Sequence, residues 1–284
     1  MRAKLRDTEL FFDVEGLGWV PDGPTLREKP VTVLLHGGPG ADHTGYKPTF
    51  SSLADVTQLI YLDHRGQGRS ARGNPTDYTL NNNVEDLEAL RQYLGLGPIM
   101  VIGGSYGGMV ALAYASRYPR QVRKLMVYAT AASHHFLPVA QETLRRIGTA
   151  EQRAIAQHLW GGSFRDDEHL GEYFRQLGPL YALKYDAAQA AIGSDRTILS
   201  YQATNQAFGG FLRSFDLIPE LARITAPTLV LGAQQDWICA PRFSTAIAQA
   251  IPQAQCQIVQ NCGHMIRTDQ PAALMGHLRS FITA

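Results

Sequence analysis

The sequence predicts an α/β fold: a mostly parallel sheet covered by helices on both faces, with a block of helices inserted between two strands. Three observations carry this. Short apolar, β-branched runs recur along the chain and stop in Gly/Pro loops. Amphipathic helical patterns separate them, the alternation expected of a parallel sheet buried on both sides. The rhythm stops between about Ser133 and Phe215, where helical patterns rich in aromatics follow one another with no comparable strand run.

In order, "ELFFDVEG" reads as an early strand, and "PVTVLLHGGPG" as a buried strand ending in a glycine loop. "QLIYLDHRGQGRS" repeats that design. "NNNVEDLEALRQYLGLG" predicts a helix with Asn at its start, acids in its first turn and Gly at its end. "PIMVIGGS" is a third buried strand, "GGMVALAYASRYP" a helix stopped by Pro119, and "VRKLMVYAT" a fourth strand. "VAQETLRRIG", "AEQRAIAQHLWG", "GEYFRQLGPLYALKY" and "SYQATNQAFGGFLRSF" make up the helical block. "APTLVLGAQQD" and "QCQIVQNCGH" return to strands, and "PAALMGHLRSFI" is the last helix. The expected division is a core of residues 1–132 and 216–284 with a helical cap at 133–215. Insertions of this size usually do more than bury their own core, so the cap is expected to lie over a site.

The bulk composition narrows the function. A chain of 284 residues with 45% hydrophobic and 18% charged residues is globular. Its net charge of +1 supplies no broad field for nucleic acid. The cysteines Cys239, Cys256 and Cys262 lack a C-x-x-C spacing, so they read as reduced thiols with no zinc site. The start "MRAKLRDTELFFDVEG" has no apolar signal-peptide core, and no apolar run reaches the roughly 18–20 residues of a membrane helix. The expectation is a cytoplasmic protein that takes a small-molecule substrate, with no nucleic-acid or membrane partner, no metal and no cofactor.

The chemistry concentrates at "VIGGSYGGM", where Gly103-Gly104-Ser105-Tyr106-Gly107 fits G-x-S-x-G. The pattern alone is weak, but a buried strand enters it and a helix leaves it, which is the setting of a nucleophile elbow. Such a turn holds its serine in an unfavourable backbone conformation, so the positions two before and two after must lack a Cβ. Those are Gly103 and Gly107. Gly104 and Gly108 are not demanded by the motif and are expected to serve helix packing or substrate access. The Tyr106 amide then opens a helix and can face a developing oxyanion.

A serine hydroxyl needs a base, and the base an orienting acid. In this architecture the chain order is Ser, Asp or Glu, then His. Asp236 in "GAQQDWICAP" and His264 in "NCGHMIRTDQP" each follow the C-terminal end of a strand, where ligands bind in open α/β sheets. Asp63 and Asp269 are alternative acids, read as loop-capping carboxylates. His134 and His135 adjoin the cap, and His277 lies on the last helix.

The set "HGGPG", "DHRGQGRS", "GGSYGG", "GAQQD" and "NCGH" resembles the α/β-hydrolase superfamily, in its proline iminopeptidase-like branch. The resemblance implies about eight strands, mostly parallel, with one antiparallel strand near the start. It implies Ser105 as nucleophile, Asp236 as acid, His264 as base, and the amides of Gly38 and Tyr106 as oxyanion hole, with Gly37 as alternative donor. Peptidases of that branch grip the substrate's free amine with glutamates, one from the late cap and one near the triad acid. Here the stretch "SYQATNQAFGGFLRSF" has no carboxylate before Asp216, and Trp237 follows Asp236. An ammonium buried without a carboxylate is costly. The acids Glu142, Glu151, Asp166, Asp167, Glu168 and Glu172 read as a solvated face. His36, Trp237, Phe208 and Phe211 are the candidate substrate contacts.

The expected function is therefore a serine hydrolase of a small neutral or apolar ester or amide, lactones included. A prolyl aminopeptidase is the first alternative. A C–C bond hydrolase or ligand receptor on the same scaffold is the other.

Overall fold

The computed structural model describes residues Met1–Ala284. The chain opens with β1 (Arg2–Leu5) and β2 (Thr8–Glu15), then a separate ribbon of β3 (Trp19–Asp22) and β4 (Thr25–Glu28). Next come β5 (Val31–Leu35), β6 (Gln58–Leu62), α1 (Leu80–Tyr93), β7 (Ile99–Gly104), α2 (Tyr106–Arg117) and β8 (Val122–Tyr128). Five helices follow without a strand: α3 (Phe136–Ile147), α4 (Ala150–Gly161), α5 (Asp167–Tyr181), α6 (Ala187–Arg196) and α7 (Tyr201–Phe208). The chain then completes the sheet with β9 (Thr228–Ala233), α8 (Pro241–Ala250), β10 (Ala254–Val259), α9 (Ile266–Asp269) and α10 (Pro271–Thr283).

The eight-stranded sheet has the order β1-β2-β6-β5-β7-β8-β9-β10. β2 runs antiparallel to both its neighbours, and every pair from β6 to β10 is parallel. Strands buried on both faces send alternate side chains to opposite layers. Val33, Leu35 and Val101 join the core under α1, α2 and α8, while Leu34, Met100 and Ile102 join the one under α10. The first of these cores continues into the inserted helices through Phe136, Leu159, Leu170, Tyr173 and Phe208. The insertion thus shares its core with the sheet. A lone antiparallel bridge between Ser133 and Asp216 ties its two ends together.

α8 and the one-turn α9 were not anticipated, and four further features depart from the sequence expectations. β1 was not anticipated, because "RAKL" alternates charge with apolar residues and carries no run. The β3–β4 ribbon is almost wholly exposed and carries Pro21, so no apolar pattern marks it. α6 buries none of its residues, which leaves no periodic stripe to read. α1 is capped by the Thr79 side chain, which accepts from the Asn82 amide, and its first turn holds no acid.

Order reverses at β5: the chain moves from β5 to β6 on one side, then crosses to β7 on the other. The loops after β5 and β7 therefore diverge at adjacent C-terminal strand ends, the switch point where open α/β sheets bind ligands. The first carries "HGGPG" and the second Ser105.

Candidate active site

Ser105 links β7 to α2 at φ 52°, ψ −123°, a region that costs a non-glycine residue about 1–3 kcal/mol. Its backbone is held on both sides: the Ser105 amide donates to the Tyr128 carbonyl at 3.0 Å, and the Thr130 hydroxyl donates to the Ser105 carbonyl at 2.7 Å. A Cβ on Gly107 would overlap the Leu35 carbonyl, and one on Gly103 the Gly107 carbonyl. Gly107 is thus required for the turn to fit against β5, and Gly103 for β7 to pack under the start of α2. Gly104 and Gly108 are explained by packing, and the substrate-access reading is withdrawn. A Cβ on Gly104 would run into the Tyr128 ring, and one on Gly108 would stand 2.7 Å from Thr130 Cβ.

The loop after β5 passes directly over this turn. A Cβ on Gly37 would stand 3.2 Å from the Gly104 carbonyl oxygen and 3.2 Å from Ser105 Cβ. Gly38 adopts φ 120°, and neither the Gly37 nor the Gly38 amide has an acceptor within the chain. The Tyr106 amide is the first of α2 and has no intrahelical acceptor either. Three amides on these two loops, those of Gly37, Gly38 and Tyr106, thus lack an acceptor within the chain. The loop is pinned from the insertion: the Thr204 hydroxyl donates to the Pro39 carbonyl at 2.7 Å, and the Ser200 amide to the Gly40 carbonyl at 2.9 Å. From the core side, Gln67 accepts from the Gly40 amide at 2.7 Å.

His264 and Asp236 are brought together. Nδ1 of His264 meets Oδ2 of Asp236 at 2.8 Å, with the carboxylate fully buried. The other oxygen, Oδ1, accepts from the amides of Ile238 and Cys239 at 2.9 and 2.8 Å. Asp236 is thus an acceptor on all sides, so His264 carries its proton on Nδ1 and Nε2 is left as the basic nitrogen. Ser105 Oγ makes no hydrogen bond within the chain and is partly exposed. The Cys239 thiol adjoins the pair; burial, then the Asp236 charge, pushes it well above its ordinary range and keeps it protonated. A metal between Asp236 Oδ2, Cys239 and His264 Nδ1 would have to displace the His264–Asp236 hydrogen bond and ionise that thiol, so the donor set does not suit one.

His264 is steadied from the insertion by residues that sequence patterns did not reveal. The Tyr181 ring, at the end of α5, packs edge-on against the imidazole with centroids 5.5 Å apart. The Met265 amide donates to the Tyr181 carbonyl at 2.9 Å. On the other flank of His264, the Gly263 amide donates to Asp269 Oδ2 at 2.7 Å. Fully buried Asp269 also accepts from the Leu183 and Lys184 amides at 3.0 and 2.7 Å. Asp269 is thus the loop cap that its sequence position suggested, joining the insertion to the His264 loop. Asp63, the other alternative acid, is bonded to His43 Nδ1 at 2.8 Å and to the Arg69 amide at 2.8 Å.

The candidate substrate contacts separate. His36 is buried, with Nδ1 on the Gly37 carbonyl at 2.8 Å and Nε2 accepting from the His64 amide at 3.1 Å. It supports the loop from below, so its reading as a substrate contact is corrected. Burial holds its pKa below the ordinary value, and that of His64, which packs 4.4 Å from it, far below. Trp237 is buried between Trp160 and Tyr181, with centroids at 6.4 and 5.4 Å. Phe211 tilts against the Tyr106 ring at 6.2 Å. Phe208 lines an open cavity of about 400 Å³ together with His134, Leu137, Gln141, Trp160 and Arg213. His277 lies on α10, half-buried and away from these groups.

This strained serine on a strand–helix turn, at a parallel sheet's switch point, defines a class. The alpha/beta hydrolase fold model matches residues 30–270, and the chain belongs to that family. Within it the chain is proline iminopeptidase-like. It is 30% identical over 266 residues to the proline iminopeptidase of Levilactobacillus brevis, covering 89% of this chain and 88% of that one. It is 29% identical over 264 residues to proline iminopeptidase PfmaB of Pestalotiopsis fici, covering 90% and 92%. The solved structure of a thermophilic esterase from Thermogutta terrifontis, with malate bound, matches at TM-score 0.76 and 26% identity over 100% of this chain and 98% of its own. No helix is long and apolar enough to cross a membrane.

Proposed function

We propose that the chain is a serine hydrolase that cleaves a small ester or amide through Ser105, His264 and Asp236, with the inserted helices 133–215 acting as a cap over that site. The observation that carries the reading is the pairing of two costly features. Ser105 is held at φ 52° on the turn into α2, and His264 is oriented by a buried Asp236 at 2.8 Å. Strain of this kind persists where the surrounding structure imposes it, and it clusters at reacting sites.

In this mechanism His264 Nε2 takes the Ser105 proton as Oγ attacks the substrate carbonyl. The oxyanion lies between the Tyr106 amide and that of Gly38, or Gly37 if the loop register shifts by one. Preorganised donors of this kind are each worth about 10²–10³ in turnover. His264, now protonated and stabilised by Asp236, gives its proton to the leaving group. Water, deprotonated by the same nitrogen, then releases the acyl group from Ser105.

Two observations bear on the substrate. The relatives named proline iminopeptidase favour release of an N-terminal proline, and that is the second reading. Against it, the insertion's acids lie at the surface. Glu142 pairs with Arg145 and Glu172 with Arg175, each at the helix surface. Asp166 caps α5, and Glu151, Asp167 and Glu168 are exposed. None of the side chains lining the cavity at Phe208 is a carboxylate, so nothing there suits a buried ammonium. The three cysteines have no disulfide partner, which suits a reducing compartment such as the cytoplasm.

The test is a panel of aryl esters, lactones, proline arylamide and its N-blocked form, run on wild type and Ser105→Ala, with fluorophosphonate labelling of both. Ester or lactone turnover lost in Ser105→Ala, with labelling at Ser105, supports the reading. A strong preference for the free-amine arylamide would replace it with the aminopeptidase. Full activity in Ser105→Ala would remove the covalent mechanism altogether.

A further inference from the structure

The cavity in the inserted helices is lined by one charged residue, the exposed Arg213. Arg213 stands at its rim with Nε donating to the Phe208 carbonyl at 2.9 Å and Nη2 to the Trp160 carbonyl at 2.7 Å. These two bonds fix the plane of the guanidinium. They leave its Nη1 group unbonded and its charge without a carboxylate partner anywhere in the chain. His134, also lining the cavity, donates from Nδ1 to the Phe215 carbonyl at 3.1 Å, which leaves Nε2 unbonded. The indole N–H of Trp237, buried behind Trp160, has no acceptor either. Of the groups lining the cavity, Arg213 carries the one permanent positive charge, set against an apolar wall of Leu137, Trp160 and Phe208.

One chain of aromatic contacts, and one step along the sequence, join the cavity wall to the neighbours of the proposed catalytic groups. Phe208 packs against Trp160 at 6.1 Å, and Trp160 against Trp237, which follows Asp236 in sequence. Phe211, between Phe208 and Arg213 in the chain, packs on Tyr106, which follows Ser105. Trp160 on the cavity wall thus packs on the neighbour of Asp236, and Phe211 on the neighbour of Ser105, which sets the cavity beside the proposed site.

We infer that this cavity binds the far end of the substrate, and that this end carries a carboxylate met by Arg213. A fixed, unpaired guanidinium recognises a carboxylate through charge-assisted N–H···O bonds, with specificity set by its planar donor fork. The same charge disfavours a cationic amine at this end. The inference rests on the hydrolase reading and names the substrate class within it.

The test uses two matched ester series. In one, 4-nitrophenyl monoesters of succinic, adipic and suberic acids are compared with the same acyl chains ending in isopropyl. In the other, 4-carboxyphenyl butyrate is compared with 4-isopropylphenyl butyrate. In at least one series, kcat/KM is expected to favour the carboxylate by about tenfold or more, the scale of one charge-assisted bond. Arg213→Gln abolishes that preference. Arg146→Gln, which removes an exposed charge on α3 outside the cavity, preserves it. No carboxylate preference in either series, or a preference that survives in Arg213→Gln, overturns the inference. Ser105→Ala separates the two levels. If it is inactive on every ester while Arg213→Gln keeps the preference, only the inference fails. If it remains active, the hydrolase reading fails first.

Discussion

Asp269 offers the most direct test of whether the insertion positions the base. Its Oδ2 accepts two amides, from Gly263 and Leu183, and its Oδ1 accepts one, from Lys184, all at 2.7–3.0 Å and with no solvent access. Asp269→Asn keeps the volume but replaces one acceptor with an NH₂ donor. Facing Lys184, the new donor loses one charge-assisted bond; facing Gly263 and Leu183, it loses two. The smaller loss dominates, at about 1.5–3 kcal/mol for a bond to a charged acceptor, and it leaves a buried amide unpaired. The bond lost is then the one to Lys184, three residues past Tyr181, whose ring and carbonyl hold His264 and Met265, so the loss falls on the insertion's hold on the imidazole. If about 1.4–2.8 kcal/mol of it appears as displacement of His264, turnover drops about 10- to 100-fold. The assay is kcat and KM on 4-nitrophenyl butyrate, normalised to the folded fraction from urea denaturation of the same preparation. The expected result is a lower urea midpoint and a tenfold or greater fall in kcat, with KM nearly unchanged. Unchanged kcat per folded molecule would refute the positioning argument, since Asp269 would then only stabilise the fold.

The histidine pair beneath the loop predicts a pH-dependent stability. Burial depresses the pKa of His36 and, more strongly, His64 below the unfolded value of 6.5. Below that pH the unfolded chain binds protons that the folded chain refuses. Stability therefore falls as pH drops below about 6.5, with a slope of up to about 1.4 kcal/mol per pH unit for each histidine. Since both His64 ring nitrogens are buried without partners, His64→Phe should flatten this slope in urea titrations between pH 7.5 and 5; an unchanged slope would assign it elsewhere. Among the glycines, Gly107→Ala sets a Cβ into the Leu35 carbonyl and should prevent soluble folding or abolish activity. Gly276→Ala, in α10 with open space around it, should raise stability by about 0.5–1 kcal/mol through helix propensity alone. Thermal unfolding of the two variants checks both.

Much of the fold was legible in local pattern. β5, β6, β7, β8 and β9 announce themselves because a strand buried on both faces must be apolar at nearly every position, and edge strand β10 shows in its alternation of Gln255 and Gln257 with less exposed neighbours. Gly103, Ser105 and Gly107 are legible for a similar reason: a strained turn pressed against β5 admits almost no other side chains at the flanking positions. β1, the β3–β4 ribbon and α6 were not, because elements at the edge or surface need no such pattern. His36 shows the limit at the site itself. As a residue type beside a glycine loop it suits a substrate contact, yet its burial and two hydrogen bonds make it a support.

What the sequence determined by itself is the class of chemistry. The covalent demands of a nucleophile elbow, and the order of strand ends bearing Ser105, Asp236 and His264, are local facts that survive without knowledge of packing. Only the tertiary structure decided how those groups are held and what surrounds them. Tyr181, Lys184 and Thr204 reach the loops around His264 and Gly38 from an insertion far away in sequence, and Arg213 faces a cavity whose walls come from separate helices. Such contacts depend on how helices α3 to α7 pack over the sheet. That arrangement is set by the summed burial of many side chains, and no short stretch of residues encodes it.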